Sequence, residues 1–142
     1  MFSGDTLWEG KGKTHSMIVK EARENGGTLE FNYSATLIGH GKAEGLNVTL
    51  TFTGSKIANS LGAGPTTGQG VFFSKEGNMV SVRSVGYGKP RRGRARSIEI
   101  WTFNASAEKL KWLNNTVATV SIDGDDQWKN FTLTINEWDS ER

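Results

Sequence analysis

Apolar and polar residues alternate with a period of two over most of this chain, and no other feature limits its fold as strongly. In "LNVTLTFT" (46–53), Leu46, Val48, Leu50 and Phe52 share one face, while Asn47, Thr49, Thr51 and Thr53 share the other. "TLEFNYSATLI" (28–38) repeats this with Leu29, Phe31, Tyr33, Ala35 and Leu37, and "FTLTI" (131–135) with Phe131, Leu133 and Ile135. Successive side chains of a strand point to opposite sides of its sheet, so the pattern predicts antiparallel strands buried on one face. Segments 8–20, 68–75, 78–88, 94–104 and 116–123 read as further strands.

Turn residues separate these runs. "ENGG" (24–27), "KEGN" (75–78) and "DGDD" (123–126) predict hairpin turns. "KIANSLGAGPTTG" (56–68) reads as the longest loop. "SAEKLKWLNN" (106–115) reads as one short helical segment, capped by Ser106, with Leu110 and Leu113 on one side. The 142 residues make one domain, 1–142. About eight strands with a single apolar face bury it most economically by closing on themselves, which also removes exposed edges. The expected fold is therefore all-β, an antiparallel up-and-down barrel with one short helical segment; a β-sandwich is the alternative. Gly-x-Gly steps at 10–12, 39–41, 68–70 and 86–88 fit places where such a sheet bends or another chain segment comes close.

Composition narrows the function. Cysteine is absent, which excludes disulfides, thiolate metal sites and a cysteine nucleophile, and fits a reducing, cytoplasmic setting. No apolar run approaches the roughly 20 residues of a membrane helix, and the first residues do not read as a signal peptide. The net charge is only +2, low for a strong polyanion binder.

That small excess is local. "VGYGKPRRGRAR" (85–96) gathers Lys89, Arg91, Arg92, Arg94 and Arg96 around Pro90 and Gly93. It reads as a hairpin with "KPRRG" at its turn. With Arg83 nearby, and Tyr87 and Trp101 as stacking faces, it could also follow a nucleic-acid backbone. Neither "GHG" nor "GYG" has the third glycine of a dinucleotide fingerprint, and "GKGKT" (10–14) lacks the first glycine of a phosphate loop. "SAEK" (106–109) has Ser-x-x-Lys spacing without the companion motifs of that chemistry. His15 and His40 are the only histidines and have no metal-ligand spacing; His40 pairs loosely with Glu44. "DGDD" is too short for a calcium loop. No metal, cofactor or catalytic set emerges. If Ile98 and Ile100 face the core, Trp101 and Phe103 fall on the opposite face, and an apolar outer face would suit a homo-oligomer.

"LWEGKGK" (7–13), "GQGVFFSKEG" (68–77), "EKLKWLNNTVA" (108–118) and "NEW" (136–138) resemble a family of small, uncharacterised archaeal and bacterial β-barrel proteins over nearly the whole chain. Segment 89–96 departs from the resemblance by being more basic. The pattern is also similar in architecture to calycin-like and allene-oxide-cyclase-like barrels, which hold apolar small molecules or form oligomers. The resemblance carries no established activity. The closed sheet, the supply of aromatic residues and the lack of a catalytic constellation point to a non-catalytic barrel holding a small apolar ligand, with Tyr33, His40, Phe52, Phe73 and Trp101 as the expected contacts. The alternatives are nucleic-acid or polyanion binding through Lys89, Arg91, Arg92, Arg94 and Arg96, and a barrel enzyme using His15 and His40.

Overall fold

The computed structural model describes residues 4–139. Eight antiparallel strands follow one another around a closed barrel, each paired with its neighbours in sequence and the last with the first. They are β1 (Thr6–Arg23), β2 (Gly26–Gly39), β3 (Val48–Asn59), β4 (Gly64–Ser74), β5 (Met79–Arg91), β6 (Arg94–Ala105), β7 (Val117–Asp125) and β8 (Asn130–Glu137). Two 3-10 helices, Gly41–Ala43 and Glu108–Asn115, lie between β2 and β3 and between β6 and β7. This is the up-and-down barrel that the alternation predicts. Among the described residues, no helix is long and apolar enough to cross a membrane.

Several local expectations need correction. Residues 56–68 are mostly strand: Lys56 pairs with Thr66, and only 60–63 connect β3 to β4. The second 3-10 helix begins after Ala107, and Ser106 does not cap it. Gly124 lies buried inside β7, so the β7–β8 turn falls later, around Trp128 at φ 58°. There the Asp125 carboxylate accepts hydrogen bonds from the backbone N–H groups of Gln127, Lys129 and Asn130. Pro90 sits within β5 opposite Ala95, and the turn is the pair Arg92–Gly93, both at positive φ. Such a two-residue turn matches the strand twist of a hairpin.

The inward face of β6 carries Ala95, Ser97, Glu99, Trp101, Phe103 and Ala105, whereas Ile98 and Ile100 point outward. The sequence leaves this choice open because both sets contain large apolar residues. Ile98 and Ile100 stand opposite Tyr87 and Val85 of β5, forming an exposed apolar quartet on the outer wall.

The barrel has two unlike halves. One is solid. Trp8, Leu37, Leu50, Phe72, Leu133 and Ile135 fill it, and Leu110 and Leu113 of the second 3-10 helix cap it. Trp8 and Phe72 meet edge to face at 5.0 Å, and the Trp8 indole N–H donates to the Leu46 carbonyl. The other half, toward the β1–β2, β3–β4, β5–β6 and β7–β8 turns, contains a cavity. Eight strands enclose a space that side chains can fill or one small ligand can occupy; this molecule does each at one end.

Candidate ligand cavity in the open half of the barrel

Four rings build the wall between the solid and open halves. Phe31, Tyr33, Phe52 and Trp101 follow one another nearly parallel, with centroid separations of 6.3, 4.7 and 5.5 Å. Each large interior side chain needs a gap beside it, and glycines supply the gaps. A Cβ on Gly68 would lie 2.3 Å from the Phe52 ring, and one on Gly12 would lie 2.6 Å from Phe131. Large and small residues thus alternate across the interior.

Above this wall is a cavity of about 350 Å³. Its apolar lining includes Met17, Leu29, Phe31, Ile122, Trp128 and Phe131. Tyr33, Lys56, Thr66, Ser97 and Glu99 add polar groups. Lys56, Thr66, Gly86 and Glu99 occupy successive paired positions across β3, β4, β5 and β6. Gly86 has no side chain in the way, so the Glu99 Cγ passes within 2.5 Å of where a Cβ would stand.

These polar groups differ in how they are satisfied. The Trp101 indole N–H donates to Glu99 Oε1 and the Ser97 hydroxyl to Oε2, both at 2.8 Å. Burial raises the Glu99 pKa above its ordinary value, although the donors Trp101 and Ser97 oppose the rise. The Tyr33 hydroxyl is buried with no hydrogen-bond partner among the described residues. Burial also raises its pKa, and the charge of Glu99 adds to this. Lys56 is 9 % exposed. Its ammonium has no ion pair or hydrogen bond among the described residues, and burial lowers its pKa. Buried polar groups normally have partners; the Tyr33 and Thr66 hydroxyls in the cavity wall are exceptions among the described residues, and the Lys56 ammonium lines the same cavity without an ion pair.

The residues expected from sequence divide three ways. Tyr33 lines the cavity. Phe52 and Trp101 stack behind it as its wall. His40 and Phe73 do not line it: Phe73 is exposed, and His40 Nε2 is 3.1 Å from Glu9 Oε1. Phe73 has the outward parity of β4, whereas Phe72 points in. His15 occupies a bulge in β1 and meets the Ser34 hydroxyl at 2.6 Å, exposed. The two histidines therefore share no cavity, and the shared histidine site of a barrel enzyme is not formed. Sequence reasoning missed Lys56 and Glu99. Their signal was a charge at an inward position, after Val48, Leu50, Phe52 and Gly54 in one strand and beside Trp101 in the other.

The basic hairpin stands at the open end. Arg91, Arg92, Arg94 and Arg96 surround a shallow depression with Asp123, and Arg96 pairs with Asp123 at 3.5 Å. Trp101 is wholly buried and offers no face to a base, and Tyr87 lies in the outer apolar quartet.

No family model matches this sequence, and no curated protein does. Solved structures do. A protein of unknown function from Clostridium acetobutylicum is similar at TM-score 0.77 and 13 % identity, covering 98 % of each chain. A beta-barrel-like protein from Acinetobacter baumannii gives TM-score 0.78 and 14 % identity, covering 98 % of this chain and 97 % of that one. An enzyme from Penicillium herquei gives TM-score 0.67 and 12 % identity, covering 94 % of this chain and 92 % of that one. At such identities the likeness establishes the fold alone, a β-barrel.

Proposed function

We propose that the protein is a binding barrel for a small, mainly aromatic or apolar molecule held in the open half. The observation that carries this is the unpartnered Tyr33 hydroxyl in the aromatic wall of the cavity. A buried donor without a partner costs stability, and a ligand acceptor would supply what the chain does not. The aromatic lining favours a flat ring system, and one polar group on it would fix its orientation. The volume suits a ligand of one or two fused rings, near the small end of known pockets.

Calorimetric titration with 2-naphthaleneethanol, a neutral probe with one hydroxyl, tests this reading. Saturable one-to-one binding should occur and should vanish in Ala95→Phe, which puts a ring into the cavity from β6. Absence of binding to the wild type, or equal binding to Ala95→Phe, contradicts it.

A further inference from the structure

Lys56 narrows the class of ligand. It is an inward residue of β3, almost fully buried, and it lines the cavity. The backbone opposite is glycine: a Cβ on Gly88 would come within 3.4 Å of Lys56 Nζ, so the ammonium occupies room that a side chain would otherwise take. No carboxylate among the described residues lies within ion-pairing reach of it. Glu99, on the same interior row, is already engaged by Trp101 and Ser97, and burial favours its neutral form. A buried cation without a counter-ion is costly, and the cost falls when an anion arrives. The four arginines at the rim favour entry of anions over cations.

We infer that the ligand carries a carboxylate, which pairs with Lys56 while its ring occupies the aromatic part of the cavity. A single negative charge suits the site, because among the described residues Lys56 is the one cation lining it. A phosphate dianion would bury a second charge with no partner. This inference rests on the small-molecule reading above and adds the chemical class.

The experiment compares 2-naphthylacetate, 2-naphthaleneethanol and 2-naphthaleneethylamine, which share a ring and differ in charge. They are titrated into the wild type, Lys56→Met, Lys56→Gln and a rim variant with Arg91, Arg92 and Arg94 changed to Ala. The acid should bind the wild type about tenfold or more tightly than the alcohol, as a charged hydrogen bond implies. Both Lys56 variants should lose that preference while keeping alcohol affinity within about twofold, and binding of the acid should take up protons at alkaline pH as Lys56 is held charged. The rim variant should keep the preference at physiological salt, where exposed charges are screened. Equal affinity for acid and alcohol, or an unchanged preference in both Lys56 variants, overturns the carboxylate assignment and leaves the small-molecule reading standing. Preference for the amine overturns it too and makes Glu99 the anchor. Loss of preference only in the rim variant places the anion outside the barrel and also overturns it. Failure of all three probes to bind removes the small-molecule reading itself.

Discussion

Lys56 and Glu99 both titrate at a cost to the fold, in opposite directions. For Glu99, burial raises the folded pKa above the ordinary 4.5, so the folded state holds its proton longer than the unfolded chain. Its contribution therefore makes stability fall as pH rises from about 4.5 through the folded value. For Lys56, burial lowers the folded pKa below 10.5, so the unfolded chain binds the proton more readily. Its contribution makes stability rise with pH from the folded value up to about 10.5. Thermal unfolding across pH should lose the Glu99 decline above about pH 4.5 in Glu99→Gln, and the Lys56 rise toward about pH 10.5 in Lys56→Met. At neutral pH Lys56→Met should melt above the wild type. A lower melting temperature would mean that Lys56 has a stabilising partner in solution. Two groups that each weaken the fold, facing one cavity, suit a site that binds something.

Strands and turns carry the next set of consequences. Gly68→Ala would drive a methyl into the Phe52 ring; the variant should lose about 1–3 kcal/mol of stability in denaturant titration, the usual cost of overpacking. Asp125 behaves as a turn staple. Its backbone hydrogen bonds with Lys129, Asn130 and Gln127 hold its pKa below the ordinary 3.8. Its contribution is present above that value and fades as pH falls through the folded pKa. Asp125→Ala should lower the melting temperature at neutral pH, and the gap to wild type should close in strong acid. Sequence legibility follows the same elements. Strands whose inward residues are apolar, such as β2 and β8, are plain from alternation. β3 runs later and β4 starts earlier than expected because inward positions there include Lys56 and Thr66, polar residues that lower the apolar signal where the cavity begins. The site was thus least visible where it matters, since the residues that make a pocket are those that interrupt a core pattern. Trp128 at positive φ gave no turn signal because glycine or asparagine usually takes that role.

On the scale of the whole barrel, stability and binding occupy different ends. Leu113 is fully buried in the plug of the solid half. Leu113→Ala should cost about 2–5 kcal/mol in chemical denaturation, with affinity for a bound naphthalene probe unchanged in the folded fraction. The outer quartet of Val85, Tyr87, Ile98 and Ile100 is the competing apolar surface, and it lies on the opposite side of the β5–β6 wall from the cavity lining. The most direct measurement is therefore one of location. Intermolecular nuclear Overhauser effects should be recorded between 2-naphthaleneethanol and the assigned methyl groups of the protein. Contacts are expected to Met17, Leu29 and Ile122, which line the cavity. Contacts confined to Val85, Ile98 and Ile100, or no contacts at ligand saturation, would contradict it.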